Sequence, residues 1–155
     1  MVDEGDMAPI FEAPALYGEK EIKLRLKDYK GYRVALYFYP KDMTYGCSIQ
    51  AKNIMSNFEE LEKNGVKVIG VSKDSLSSHR NFIEKKGIEF PIVSDIDGEV
   101  GDMYGVLKKK NFMGKEFFGV DRTTFLIDEN LKVVKVIRKP DVRDHANEIL
   151  SGFDY

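Results

Sequence analysis

The apolar and polar positions of this chain fall into blocks with two different periods. Residues 33–39 form a nearly unbroken run of apolar, β-branched and aromatic side chains, the pattern of a strand covered on both faces. Residues 66–72, Val-Lys-Val-Ile-Gly-Val-Ser, read the same way. Between them Ala51, Ile54, Phe58 and Leu61 recur at helical spacing, and Asn64-Gly65 supplies a stop where a left-handed residue is wanted. Together these blocks predict a strand, a helix and a second, parallel strand joined by a right-handed crossover.

The second half of the chain continues the alternation. The spacing predicts a helix over 75–86, with Asp74 or Ser75 as its N-cap and Gly87 as its terminator. Residues 90–94 read as a short strand, and Pro91, which cannot donate to a ladder, belongs at its start or on an edge. A short helix is expected over 97–104, ended by Gly105, and a loop rich in Lys, Gly and Phe over 107–121. Residues 123–127 and 132–137 flank Asp128-Glu129-Asn130 and predict a hairpin with a turn longer than two residues. A last helix is expected over 142–150. No repeat or linker interrupts this order, so residues 1–155 read as a single α/β domain with a mixed central β-sheet flanked by helices on both faces, the order of elements found in a thioredoxin-like fold.

Composition narrows the function classes. The charges nearly balance, with 24 Lys and Arg against 26 Asp and Glu, which gives no reason to expect nucleic-acid or membrane partners. The opening residues are acidic and lack the order of a secretory signal, and no apolar run approaches the roughly 18 residues a membrane span needs. Cys47 is the only cysteine. The fold therefore does not depend on an internal disulfide, and a cytoplasmic location is expected.

Cys47 is also the most informative residue for chemistry. It closes the segment Tyr39-Pro40-Lys41-Asp42-Met43-Thr44-Tyr45-Gly46-Cys47, directly after a predicted strand and at the start of a predicted helix. The unpartnered N–H groups of a first helical turn stabilise an anion such as a thiolate. Alone, a buried cysteine is more often an inert small hydrophobe. His79 and His145 have no second histidine or cysteine at ligand spacing, so no metal is expected. Gly98, Gly101 and Gly105 do not follow a strand as a dinucleotide fingerprint would, and no cofactor is expected.

The motif Pro40-x-x-x-Thr44-x-x-Cys47 resembles the peroxidatic motif of peroxiredoxins. Flanking segments resemble the branch called bacterioferritin comigratory protein or peroxiredoxin Q. They are Gly5-Asp6-Met7-Ala8-Pro9-Ile10-Phe11, Gly70-Val71-Ser72-Lys73-Asp74-Ser75 with Ser78-His79, Phe90-Pro91-Ile92-Val93-Ser94-Asp95, Tyr104-Gly105-Val106, and Arg122-Thr123-Thr124-Phe125-Leu126-Ile127-Asp128. The resemblance implies a thiol peroxidase of thioredoxin-like fold that acts on hydrogen peroxide or small alkyl hydroperoxides. Cys47 would attack a peroxide oxygen and become a sulfenic acid. Arg122 would hold a permanent positive charge beside the sulfur and the leaving oxygen. Thr44 would offer a hydroxyl that both donates and accepts, and Pro40 would shield the sulfur with an apolar wall. Complete ionisation of an ordinary thiol gains only about thirtyfold in thiolate at neutral pH. Most of the acceleration must therefore come from positioning and charge stabilisation.

Three positions depart from the branch pattern. Lys52 stands where many members carry a resolving cysteine, Tyr45 replaces a proline, and Gln50 stands where glutamate is common. With no second cysteine, the resemblance implies a one-cysteine mechanism with an external thiol reductant of thioredoxin, glutaredoxin or small-thiol type, in a monomer or weak homodimer. The alternative is a thioredoxin-like peroxide sensor or thiol-dependent interaction module with little turnover. Lys108-Lys109-Lys110 reads as a solvated loop. Phe112, Met113, Phe117 and Phe118 read as a collar beside Arg122 or a dimer contact, with ordinary core packing expected for two of them.

Overall fold

Two short strands that the hydrophobic pattern does not signal begin the fold, which a computed structural model describes over residues 2–154. They are β1, Glu12–Tyr17, and β2, Lys20–Arg25, antiparallel and joined at Gly18-Glu19, where Gly18 takes φ +60°. β1 buries Ala13 and Ala15 on one face and Leu16 on the other, too few and too small a set to make a visible apolar period. A 3-10 turn at Leu26–Tyr29 leads into β3, Arg33–Phe38. Helices α1, Tyr45–Ser56, and α2, Phe58–Lys63, precede β4, Val66–Ser72. Then come α3, Leu76–Lys86, β5, Ile92–Ser94, and α4, Glu99–Met103. A hairpin of β6, Leu107–Phe112, and β7, Lys115–Val120, is followed by β8, Thr123–Ile127, β9, Val133–Arg138, and α5, His145–Phe153.

Seven strands form one mixed sheet in the order β2-β1-β5-β4-β3-β8-β9. β3, β4 and β5 run parallel, while β8 joins β3 antiparallel and β1 joins β5 antiparallel. The alternation of a strand sends successive side chains to opposite faces. Val34, Leu36 and Phe38 pack on the face that carries Val100 and Tyr104 around α4. Ala35, Tyr37 and Tyr39 pack on the face of α1, α3 and α5, against Ala51, Ile54, Phe82 and Ile149. This is the thioredoxin-like α/β arrangement, with helices on both faces.

The elements differ from expectation where local forces compete. The single helix expected through Ala51 and Leu61 breaks at Asn57, whose backbone sits at φ −118°, ψ 16° and whose side chain donates to Asn53 O at 2.9 Å. Asn favours such local bonds over helix continuation. Ser75 caps α3 by accepting from Ser78 N, and Gly87 ends it at φ +62°. Pro91 directly precedes β5, and because β5 lies inside the sheet the start position, not an edge, is the one it takes. α5 begins at His145 rather than 142 because Asp141 turns the chain, accepting from Arg143 N and donating its own N–H to Glu148.

The segment 107–121 is not a loop. It is the β6–β7 hairpin, closed by Met113-Gly114 with φ +52° and +82°, the pair of left-handed residues that a two-residue hairpin turn uses. Nor do its aromatics enter the core: Phe112 is 68% and Met113 88% exposed, and Phe117 and Phe118 are exposed as well. Only Val120 and, in part, Leu107 at its foot meet the core, so the ribbon shows no alternating apolar period to read.

Gly70 stands opposite Tyr37 in the β3–β4 ladder. A Cβ there would lie 3.3 Å from the Tyr37 ring, which is fixed between Tyr39 at 5.4 Å and Phe90 at 5.8 Å. Gly70→Ala is expected to cost about 1–3 kcal/mol of stability through overpacking, read as a lower urea midpoint. An unchanged or raised midpoint would show that this aromatic layer has room to move.

Candidate active site

The site forms where β3 ends and α1 begins. Tyr39 N still donates to Val71 O at 3.0 Å, so the chain leaves the sheet only after it. Pro40 follows, exposed, and Met43 takes the left-handed conformation at φ +64°. Between them Asp42 turns inward and is buried. Its Oδ1 accepts from Tyr39 OH at 2.5 Å, and its Oδ2 accepts from Ser78 Oγ at 2.8 Å and lies 2.6 Å from His79 Nδ1. Asp42 N donates to Asp74 Oδ2 at 2.8 Å, which also accepts from Ser72 Oγ at 2.7 Å. Burial and the neighbouring Tyr37 and Asp42 hold Tyr39 well above the usual phenol range, so it stays a donor.

Thr44 is the N-cap residue of α1 in an extended conformation. Its carbonyl accepts from Ser48 N at 2.9 Å, while its hydroxyl donates to Lys41 O at 2.9 Å instead of capping. That hydroxyl keeps its acceptor lone pairs. Cys47 completes the first turn of α1, a free thiol only 2% exposed.

Arg122 reaches this turn because of the sheet. Phe38 at the end of β3 pairs with Thr123 at the start of β8, so the residue before β8 lies beside the loop after β3. Arg122 Nη1 donates to Gln50 Oε1 at 2.6 Å. Gln50 follows Cys47 by three residues, on the same helix face. A Cβ on Gly46 would lie 3.2 Å from Arg122 Nη2, so a residue without a side chain allows the guanidinium its approach. Two polar atoms buried here have no partner among the described residues: Tyr37 OH and Gln50 Nε2. Burial first, then Cys47 and Asp42, raise Tyr37 well above the phenol range, with Arg122 opposing.

The structure thus gathers Cys47, Thr44 and Arg122 around one helix turn and leaves Pro40 exposed at the exit from β3. The two histidines are structural in their contacts. His79 Nε2 faces Val93 O at 3.0 Å and must donate to it. His145 lies between Thr124 Oγ1 at 2.8 Å and Glu148 Oε1 at 3.0 Å, and burial holds it below its ordinary value. Neutral, it donates from Nδ1 to Glu148 and accepts at Nε2 from Thr124. Asp42, Asp74 and His79 place ligand-type atoms within 4.8 Å of one another. The 2.6 Å separation of His79 Nδ1 and Asp42 Oδ2 is a hydrogen-bond distance, whereas two ligands of one ion sit about 3 Å or more apart. Among the described residues no helix is long and apolar enough to cross a membrane. The Asp42 cluster and the Gln50–Arg122 bond were not expected in this form; the adjacent Ser78-His79 was the only local hint.

Residues 4–136 match the AhpC/TSA family. The chain is 43% identical over 149 residues to a putative peroxiredoxin bcp of Coxiella burnetii, covering 96% of this chain and 97% of that protein. It is 40% identical over 147 residues to peroxiredoxin Bcp of Escherichia coli K12, covering 95% and 92%. A cysteine-to-serine mutant of PrxQ from Xylella fastidiosa superposes with a TM-score of 0.88 at 32% identity, over 99% of this chain and 96% of that one. The fold and these relatives define the class as a thiol peroxidase. The chain belongs to the AhpC/TSA family, in its Bcp or peroxiredoxin Q branch, and lacks that branch's usual resolving cysteine.

Removing the Asp42 carboxylate leaves the buried Tyr39 hydroxyl and the half-buried Ser78 hydroxyl without their acceptor and His79 Nδ1 without its partner. Asp42→Ala is expected to cost about 2–5 kcal/mol, measured by urea unfolding; a loss below the size of an ordinary surface substitution would show that the cluster carries no tension. His145 gives a pH signature. Its folded value is depressed, so the unfolded chain takes the proton first; the stability it contributes is complete above about pH 6.5 and falls as pH drops below that. The wild type should therefore lose more stability between pH 7 and pH 5, taken as approximate bounds, than His145→Gln does. Parallel pH profiles would refute this assignment.

Proposed function

We propose that Cys47 is the peroxidatic nucleophile of a one-cysteine peroxidase that reduces hydrogen peroxide or small alkyl hydroperoxides with electrons from an outside thiol. The observation that carries this reading is the strand pairing that sets the Arg122 guanidinium against Gly46 and Gln50, on the turn bearing Cys47.

The thiolate attacks one peroxide oxygen. An S–O bond forms, the O–O bond breaks, Cys47 is oxidised to the sulfenic acid, and the second oxygen leaves with a proton as water or alcohol. Charge develops on the leaving oxygen, where Arg122 and the unpaired N–H groups of the first helical turn stabilise it. The Thr44 hydroxyl, whose hydrogen goes to Lys41 O, accepts from the peroxide O–H and so holds the O–O bond in line with the sulfur. Pro40 has no N–H to compete at the loop's exit. An outside thiol then condenses with the sulfenic acid, releasing water and leaving a mixed disulfide. A second thiol takes the first away as a disulfide and restores Cys47.

Stopped-flow mixing with one equivalent of peroxide, read by quenched-flow mass spectrometry, tests the reading. The wild type should form sulfenic acid far faster than a free thiol, and Cys47→Ser should show no turnover. Arg122→Ala should slow the oxidation by about 10²–10³-fold. A wild-type rate no better than a free thiol's would sink the proposal and leave the sensor or interaction module, recognised by one stable mixed disulfide with a protein partner.

A further inference from the structure

If Cys47 works as proposed, its sulfenic acid must meet a thiol that this chain does not contain. Lys52 occupies the position of the branch's resolving cysteine and is exposed on α1. Cys47 is 2% exposed, and the loop in front of it is tied to α3 through Asp42, Ser78 and His79. A thiol on the surface of a folded protein reaches such a sulfur only if this loop leaves. A small thiol needs a far smaller opening of the loop than a protein does. To react efficiently, a small thiol needs an anchor that raises its local concentration.

A cavity of about 300 Å³ beside the site supplies one. It is lined by Gly105, Val106, Lys108, Asp121, Arg122, Thr123, Arg138 and Lys139. Four of its lining residues are cationic and one is acidic. That acid is already engaged, with Lys110 Nζ 3.5 Å from Asp121 Oδ1. Among the described residues neither Lys108 nor Lys139 has an ion-pair partner. Arg122 is common to the cavity and to the Cys47 turn, where its guanidinium bonds Gln50. Concentrated positive charge in a recess raises the local concentration of small anions, and the apolar Val106 and the lysine stems accept a short hydrocarbon body. We propose that this cavity binds the carboxylate of a low-molecular-weight thiol, and that carboxylate-bearing small thiols are the class of reductant that returns Cys47 to its reduced state. This inference rests on the peroxidase reading above.

The test compares 3-mercaptopropionate with 2-mercaptoethanol as reductants of protein oxidised by one equivalent of hydrogen peroxide. Rates are expressed per thiolate to remove the difference in thiol acidity, and mixed-disulfide formation at Cys47 is followed by mass spectrometry. At low salt the anionic thiol should react at least about tenfold faster, a size that two partly exposed ammonium groups can supply. The ratio should fall toward one in the Lys108→Gln/Lys139→Gln double variant and at high ionic strength. A ratio near one in the wild type, or a ratio the double variant retains, overturns the proposal. So does a preference seen only when the carboxylate is placed on the hydroperoxide instead of the thiol. A second measurement separates this failure from failure of the peroxidase reading. Cys47→Ser protein is titrated with 3-(methylthio)propionate, a non-reactive probe, by NMR. Binding that perturbs Lys108 and Lys139 and is lost in the double variant supports the cavity whatever the peroxide kinetics show. Absence of binding removes the anchor and the proposal with it.

Discussion

The geometry of this site depends on one buried carboxylate. Asp42 sits in the loop between β3 and α1, tied to Asp74 through its N–H, and its carboxylate meets Tyr39 just past β3 and Ser78 and His79 on α3. A carboxylate buried without such donors would cost several kcal/mol, so the loop adopts its native course only when α3 is docked and Tyr39 is in place. The consequences run outward. Tyr39 stacks on Tyr37, Tyr37 lies under the turn of Cys47, and the direction in which the loop leaves Asp42 decides where Thr44 starts α1. Met43 accepts a left-handed conformation in that course, a local strain of order 1–3 kcal/mol that the buried bonds around it offset.

The second constraint is the sheet. Parallel pairing of β3 with β4 needs the intervening helices, which puts the N-terminus of α1 at the C-terminal end of β3. Antiparallel pairing of β3 with β8 then delivers the residue before β8 to that same end. Residues 47 and 122, distant in sequence, are thereby set across a single helix turn by backbone hydrogen bonds rather than by contact between themselves. Gly46 supplies the clearance. Because rigid elements carry both groups, the reaction proposed for Cys47 would ask little reorganisation of the guanidinium as charge develops, the condition under which such stabilisation is effective.

What could be read in advance divides along physical lines. β3 and β4 are covered on both faces, so their apolar runs were plain, and α3 carries its own cap and stop in Ser75 and Gly87. β1 buries two alanines and one leucine, and the β6–β7 ribbon buries only Val120 at its foot, so neither leaves a hydrophobic period. Asn57 breaks a helix by a side-chain bond that no apolar pattern encodes. At the site, Cys47, Thr44 and Arg122 were legible through their motif and its resemblance. The partners that hold them were not. Gln50 stands out in the sequence only as a departure from the branch's glutamate, and its bond to Arg122 shows once strand order brings the two together; nothing in the sequence marks Asp42 as buried against α3.

The lone cysteine and the pinned loop belong to one design. A route that joins two cysteines on the same helix requires that helix to unwind, and its site must be stable enough to react yet loose enough to open. With Lys52 in α1 instead, no intramolecular step calls for opening, and the Asp42 cluster can hold the loop as tightly as burial allows. Tight holding favours the oxidative half of the cycle, where pre-set donors act on a small peroxide. It shifts the burden to the reductive half, where the attacking thiol must come to a recessed sulfur. Under the proposed function, the cationic cavity that shares Arg122 with the site lies where that burden falls, and the chemistry of the incoming thiol becomes the selective step.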